Sequence, residues 1–350
     1  MARRPTMKDI AQATGFSLST VSRALSNKPD VDPQTHERIL DTARQMGYQP
    51  NRLARSLRLS TTRTIGVIIA DISNPYFGAL VKGIEKEARR SGHSVILLDT
   101  NEDYAREEEA VAVMLEEQVA GVILTPTQRE SGTVQRLLEA GLPLVLASRR
   151  FSDIKTNYVV TDDFHGGLLA TEHLIAFGHE RIAMINGPMH ISSAVERFEG
   201  YRQALRRHGL PFEEANVTTG SVSIDDGFEA AMGLFNRKPF PTAIFAFSDF
   251  VAFGVMKAIR ENGLGVPDDI SVVGYDDNLF ASCLETPLTT VHVPKEQLGM
   301  EAAQVLQRQI EGGQPLRQVE LLVELTERES TGRCPRGSAS AARGEGDRLA

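Results

Sequence analysis

At 350 residues, with 41% hydrophobic and 24% charged side chains, the chain has room for two or three domains of roughly 150 residues and is too apolar to be disordered throughout. It contains no run of about 18 consecutive apolar residues, and its basic start, MARRPTMKDIAQATG, lacks the apolar stretch of a secretion signal; a cytoplasmic protein with no membrane partner is expected. The two cysteines, Cys283 and Cys334, are too few and too far apart for a disulfide scaffold or a thiolate cluster and read as free thiols.

The net charge of −8 is unevenly spread. Residues 1–63 hold 11 Lys and Arg against five Asp and Glu, net +6, so the remaining 27 and 41 leave −14 on the rest. Phosphates attract cations irrespective of base sequence, so a small basic module on a larger acidic body suggests that the N-terminal piece alone meets a polyanion. The same composition also suits a solvated basic tail.

The spacing of caps and apolar residues favours the module. Thr6-Met7-Lys8-Asp9 has the cap-and-acid pattern of a helix start, with Met7, Ile10 and Ala11 on one face, and Gly15 supplies the freedom a tight turn needs. Ser17 caps a second helix whose Val21 and Leu25 face inward, while Leu18, Ser19, Ser22 and Arg23 point outward. A third helix starts at Asp32-Pro33, buries Ile39, Leu40, Ala43 and Met46, and stops at Gly47. Three short helices with a turn between the first two describe a helix-turn-helix module. The segment from Asn51 to Leu59 follows, too short to hold a helix in water unaided. It reads either as an amphipathic linker packed on the body or, since its leucines are flanked by arginines, as a minor-groove wedge.

Beyond Arg63 apolar runs alternate with helical segments. Strands are expected at Ile65 to Ala70, Val95 to Leu98, Val122 to Leu124, Leu144 to Ala147, Ile182 to Ile185, Ala243 to Phe247 and Val272 to Gly274. Helices are expected at Tyr76 to Arg90, Arg106 to Gln118, Gly166 to Phe177, Val195 to His208, Asp249 to Glu261 and Pro294 to Ile310. The pattern is an α/β repeat of two doubly wound parallel sheets, joined near residues 158–163 and again near Val291, with a cleft at the carboxyl ends of the strands. The dinucleotide fingerprint GxGxxG, the P-loop, the GxSxG elbow and the HExxH helix are all absent, and His165, His173 and His179 do not have the spacing of a metal site on one helix face. Neither enzyme chemistry nor a cofactor or metal is called for, and the cleft is left for recognition of a small solute.

The run Met7-Lys8-Asp9-Ile10-Ala11, Val21-Ser22-Arg23-Ala24-Leu25 and Ala54-Arg55-Ser56-Leu57 resembles the lactose/galactose repressor (LacI/GalR) family. The likeness continues through Thr64-Ile65-Gly66-Val67-Ile68, Asn74-Pro75-Tyr76-Phe77, Phe177-Gly178-His179-Glu180-Arg181-Ile182-Ala183 and Gly274-Tyr275-Asp276-Asp277, in the family's order, to about residue 330. It implies a homodimeric, nucleoid-associated transcription regulator of bacteria, with repression the commoner outcome, built from a helix-turn-helix head on a periplasmic-binding-protein-like two-lobe body. The organisation implied is a head at 1–50, a hinge at 51–63, a body at 64–330 and a disordered tail at 331–350. The first lobe takes 64–160 and 294–322, and the second takes 161–291.

By resemblance the second helix reads the major groove of double-stranded operator DNA. Leu18 and Ser19 take the variable positions, Thr20 and Ser22 lie beside them, and Arg23 contacts guanine. Thr6 and Ser17 read equally as phosphate contacts or as plain caps. Ala54 and Arg55 match the minor-groove face of the hinge, and Leu57 matches its intercalating leucine. In the cleft, Arg197 and Asp276 match the family's main effector contacts, with Asp162, Ser193 and Ser248 as neighbours; Tyr76 and Phe77 match a position where aromatics stack on a ring, although core packing also suits Phe77. The sequence departs from the family pattern at Ser248, where Asn is usual, and at Val222, where many relatives place an aromatic. A sugar or a sugar derivative such as a sugar-phosphate is the commonest effector class implied, with a purine-like ligand left open.

Overall fold

The structure is a computed structural model that describes residues 5–28, 30–48, 62–237, 239–313 and 315–335. Contacts divide the chain into two compact units, Met1–Thr62 and Arg63–Ala350. The first holds α1 (Met7–Thr14), α2 (Leu18–Leu25) and α3 (Pro33–Gln45). Each begins on the cap its sequence announces. The Thr6 amide and hydroxyl both donate to Asp9 Oδ2 at 2.7 Å, Ser17 Oγ accepts from Thr20 N at 3.1 Å, and Asp32 Oδ2 accepts from Thr35 N at 3.0 Å ahead of Pro33. Gly15 turns the chain between α1 and α2 at φ +76°, a left-handed conformation that a β-carbon would strain. Ile10, Val21, Ala24, Ile39 and Ala43 form the core, with Met7, Ala11, Leu25 and Met46 packed at its edge. Ala24, one position from the expected Leu25, is thus the second inward residue of α2, and Leu40 and Met46 are only half-buried.

The second unit opens with β1 (Thr64–Ile69), α4 (Pro75–Arg90), β2 (Ser94–Asp99), α5 (Tyr104–Glu116), β3 (Val122–Leu124), α6 (Gly132–Glu139), β4 (Leu144–Ala147) and β5 (Asn157–Thr161). It continues with α7 (Asp163–Ala176), β6 (Ile182–Ile185), α8 (Ser192–Arg207), β7 (Val217–Thr218), α9 (Ile224–Phe235), β8 (Ala243–Ala246), α10 (Asp249–Glu261), β9 (Ser271–Asp276) and β10 (Thr289–His292), and closes with α11 (Lys295–Ile310), β11 (Gln318–Leu321) and β12 (Glu324–Thr326). The strands form two six-stranded sheets, ordered β11-β5-β4-β3-β1-β2 and β12-β10-β9-β8-β6-β7. Every pairing is parallel except that of β12 with β10. The central strands are apolar runs buried along their length, as burial of both faces of a parallel sheet requires. The chain passes between lobes three times: after β5, between β10 and α11, and between β11 and β12. β5, β7, β10, β11, β12, α6 and α9 are additions to the elements expected from the sequence.

Residues 331–335 correct the expectation of a tail from 331 onward. Ser330 Oγ donates to Val272 O at 2.6 Å, Gly332 N to Ser271 Oγ at 3.0 Å, and Cys334 N to Phe177 O at 3.0 Å. Two of the scattered histidines serve this segment: His179 places Nε2 3.0 Å from Gly332 O and Nδ1 3.0 Å from Thr242 Oγ1, and His173 Nε2 lies 2.9 Å from Thr331 Oγ1. Buried polar groups of the second lobe need these partners, so the segment is held despite its tail-like composition. Residues 336–350 of the expected tail lie outside the described residues. Cys283 and Cys334 are not joined in a disulfide. Among the described residues no helix is long and apolar enough to cross a membrane.

Candidate functional site

A cavity of about 290 Å³ lies between the lobes, where the carboxyl ends of the strands of both sheets converge. On the first-lobe side, Asn74 Oδ1 accepts from Tyr76 N at 3.0 Å and, with Pro75 at the first helical position, starts α4 so that its opening turn presents Tyr76 and Phe77. Their rings meet edge to face at 5.0 Å, and the Tyr76 hydroxyl is 2.8 Å from Ser148 Oγ just past β4. The next residue, Arg149, is buried. It donates to Glu102 through Nη2 at 2.5 Å and Nη1 at 2.8 Å, and through Nη1 to Pro126 O at 3.1 Å. Burial alone raises the Glu102 carboxyl, but the charge and hydrogen bonds of Arg149 outweigh it and hold the group below its usual range.

On the second-lobe side, the first turns of α8 supply Ser193 and Arg197. Arg197 Nε binds Asp163 Oδ1 at 2.8 Å, its Nη1 donates to Phe247 O at 2.6 Å, and its guanidinium carbon lies 3.5 Å from the Tyr275 ring centroid and 4.6 Å from that of Phe247. Such a sandwich fixes the fork by charge and by stacking at once. Asp276 closes β9 at φ +110°, followed by Asp277 at φ +53°. The Lys295 ammonium holds this turn by donating to the carbonyls of Asp276, of Asp277 at 3.0 Å and of Val293 at 3.2 Å. Burial pushes the Asp276 carboxyl up to about 7 against the opposing pull of Arg197 and Lys295. Neighbouring Asp249 is raised too, by burial and by Asp276, although it accepts from Thr290 Oγ1 at 2.5 Å and Asn278 N at 2.7 Å. Ser248 caps α10 and Ser223 caps α9 at the cavity wall, where Asp226 accepts from the amides of Val222 at 3.1 Å and Ser223 at 2.9 Å.

The lobes also touch directly. Arg150 of the first lobe binds Glu196 of α8 at 2.7 Å, and its amide donates to Ser192 Oγ at 3.2 Å, while Gln128 accepts from Ser192 N at 2.9 Å.

Tyr76, Phe77, Ser193, Arg197, Ser248 and Asp276 thus line one cavity. Asp162 does not: its carboxylate caps α7, Oδ1 accepting from His165 N at 2.8 Å, and the wall at that place is Thr161. Sequence reading passed over Asp71, Asn101, Glu102, Ser148, Arg149 and Asp226. Most of these lie one to four residues past the end of an apolar run, the zone where open α/β sheets bind ligands, and that position was the available signal. In the head, Ser17, Leu18, Ser19 and Arg23 are exposed, Leu18 at 43%, whereas Thr20 and Ser22 are half-buried. Arg23 forms an ion pair with Asp30, an exposed contact of the kind that gives way readily to a competing acceptor. Thr6 and Ser17 act as caps. Ala54, Arg55 and Leu57 lie outside the described residues.

Comparison with known proteins gives two matches to family models. The periplasmic binding proteins and sugar binding domain of the LacI family match residues 62–329, and the bacterial regulatory proteins of the lacI family match residues 6–51. The chain is 36% identical over 303 residues to the ribose operon repressor of Escherichia coli K12, across 86% of this chain and 92% of that one. It is 32% identical over 305 residues to the HTH-type transcriptional repressor PurR of Actinobacillus pleuropneumoniae serotype 3, across 87% and 91%. A crystal structure of the lac repressor dimer bound to operator and the anti-inducer ONPF is similar at a TM-score of 0.85 and 29% identity, covering 94% of this chain and all of that one.

Proposed function

Since the chain belongs to the LacI family of bacterial regulatory proteins, we propose that it is a cytoplasmic, dimeric transcriptional repressor whose grip on a near-palindromic operator is set by a small molecule bound in the cleft. The observation that carries this reading is the cavity itself, with Tyr76 and Phe77 on one wall and Arg197 and Asp276 on the other, in a chain whose other unit is a capped trihelical head with an exposed reading face. Arg and Asp supply donors and acceptors from one side while aromatic faces supply apolar contact from the other, a combination suited to a hydroxylated ring.

In the head, α2 enters the major groove. Arg23 takes guanine O6 and N7, worth about 1–3 kcal/mol of discrimination, while Leu18 and Ser19 read methyl groups or exclude misfits, with Thr20 and Ser22 beside them. Thr6 and Ser17, at helix starts, sit where phosphate is held without regard to sequence. Ala54 and Arg55 follow the minor groove and Leu57 wedges the central step, two such leucines kinking the operator of a dimer. Ligand acts by favouring one arrangement of the two lobes. By linkage, operator then alters ligand affinity by the same factor that ligand alters operator affinity, typically about 5- to 150-fold.

Selection of bound duplexes from a randomised library, with and without metabolite pools, tests the reading. A single enriched palindrome whose yield changes with metabolites is expected, and equal affinity for all duplexes at near-physiological salt refutes it. In a gel-shift comparison Leu57→Ala lowers specific affinity and bend angle while the fold and ligand binding are retained; unchanged affinity and bend angle refute the wedge.

A further inference from the structure

We infer that Gln128 and Arg150 of the first lobe and Ser192 and Glu196 of α8 form a latch that holds the lobes closed while the cavity is empty, and that closure depends on Arg150 far more than on the charge of its partner Glu196. The effect of this latch on operator binding rests on the regulator reading given above; its effect on the lobes does not.

The four residues form one connected set, and none of them lines the cavity. α8 starts after Ile191, whose side chain cannot cap a helix, and its first amide, Ser192 N, donates instead across the lobe boundary to Gln128 Oε1 at 2.9 Å. Gln128 Nε2 donates in turn to Arg150 O at 2.7 Å, so a backbone donor and a backbone acceptor together set which way the side-chain amide faces. Gln128 is buried and left-handed at φ +58°, a conformation that a residue other than glycine keeps only where its surroundings enforce it. Arg150 adds two further links. Its amide donates to Ser192 Oγ at 3.2 Å, and its Nη2 donates to Glu196 Oε1 at 2.7 Å while the guanidinium carbon lies 5.4 Å from the centre of the Tyr158 ring.

Spacing ties this set to the ligand site. Ser192 and Glu196 are four residues apart and share one stripe of α8; Ser193 and Arg197, each one residue on, form the neighbouring stripe that lines the cavity. A shift of α8 against the first lobe therefore moves both stripes at once.

Charge makes the members unequal. Asp162 and Asp163 at the start of α7 and Glu320 on β11 all act on Glu196, and Arg150 is the cation that opposes them. Burial, followed by Asp163, nevertheless pushes the Glu196 carboxyl up to about 7. The side chains of Arg150 and Glu196 are 28% and 24% exposed, so water screens the pair only in part. Loss of the Arg150 charge leaves a half-buried carboxylate among like charges, one of which, Glu320, belongs to the opposite lobe, and the lobes part. Loss of the Glu196 charge is mild by comparison, because a glutamine there still offers Arg150 an oxygen and the remaining acids repel less.

Distances between spin labels, read by pulsed electron paramagnetic resonance, test the latch in full-length, ligand-free protein. The labels sit on Glu139→Cys at the end of α6 and Arg206→Cys at the end of α8, both exposed, in a chain carrying Cys283→Ser and Cys334→Ser and diluted with unlabelled chain. With the latch intact, the distance of the closed structure dominates. Arg150→Gln lowers the closed-to-open ratio by about tenfold or more, Gln128→Ala lowers it by about threefold or more, and Glu196→Gln changes it by less than about threefold. Adding Glu196→Gln to Arg150→Gln recovers most of the loss, which a purely local packing defect would not do. Thermal melts establish that the variants fold, and if Arg150→Gln does not, Gln128→Ala decides. A folded Arg150→Gln or Gln128→Ala protein as closed as wild type, a Glu196→Gln protein as open as Arg150→Gln, or a double variant no more closed than Arg150→Gln overturns the inference. Affinity for the selected duplex, measured without metabolites, shifts in Arg150→Gln and returns in the double variant. Distances that respond while that affinity stays fixed leave the latch standing and refute control of the operator by lobe arrangement. Absence of any preferred duplex refutes the regulator reading, and the distances still decide the latch.

Discussion

Replacing Gly200 with alanine should destabilise the body although alanine is the better helix former. Gly200 lies where α8 crosses α7, and a β-carbon there would come 2.2 Å from Phe164 O, 2.7 Å from Leu168 N and 3.0 Å from Gly167 C. All three are backbone atoms, so no side chain can swing aside, and the helices must separate by about 1 Å at the upper end of the 1–3 kcal/mol cost of overpacking. Helix propensity returns about 1 kcal/mol, for a net loss of about 2 kcal/mol. Gly233 of α9 is the control: nothing lies within 4 Å of its added carbon, so the same substitution stabilises by up to about 1 kcal/mol. Thermal unfolding should place Gly200→Ala roughly 4–8 °C below the wild type and Gly233→Ala a few degrees above it. The backbone of Arg197, one turn earlier on α8, is in the same crossing, its carbonyl 2.3 Å from where a Gly167 β-carbon would sit, so ligand affinity falls together with stability. A Gly200→Ala protein melting at or above the wild type would refute the close-approach reasoning.

Other outcomes follow from the same geometry. Asp276, raised from 3.8 to about 7, keeps its proton in the folded state after the unfolded chain has released it, so it lowers stability as pH climbs through that interval; Asp276→Asn reduces the slope of melting temperature against pH there by about one proton, and an unchanged slope refutes the assignment. His179→Ala leaves Thr242, Ser271 and the Gly332 carbonyl short of a buried partner and costs about 1–3 kcal/mol, with faster hydrogen exchange at residues 332–334 as the readout. Ile10→Ala removes the centre of a small core at about 2–5 kcal/mol, enough to unfold the head while the body's melting transition stays in place; loss of both transitions together contradicts the two-unit division.

What could be read in the sequence was whatever is decided within a few residues. The caps at Thr6, Ser17 and Asp32 are local hydrogen bonds, and the buried parallel strands are continuous apolar runs, so both declare themselves. β11 and β12 are short, polar and half-exposed, and they exist only because distant partners, β5 and β10, lie beside them. The same holds for residues 331–335, whose Gly, Arg and Cys resemble a tail until Ser271 and His179 are brought to them. In the cleft, Arg197 and Asp276 were reached through family likeness, but no spacing rule links Glu102 to Arg149. Asp162 was misplaced because a carboxylate one residue past a strand suits a helix cap as well as a ligand contact.

The order of strands in the first sheet has a consequence for synthesis of the chain. β5 emerges early, but its neighbour β11 is encoded 160 residues later, across most of the second lobe. At about 5–20 residues per second, the ribosome leaves that edge without its partner for roughly 8 to 30 seconds. Nascent first lobes therefore spend that interval with an open ladder, and crowded polysomes making this protein are where chaperone capture or edge-to-edge association should concentrate.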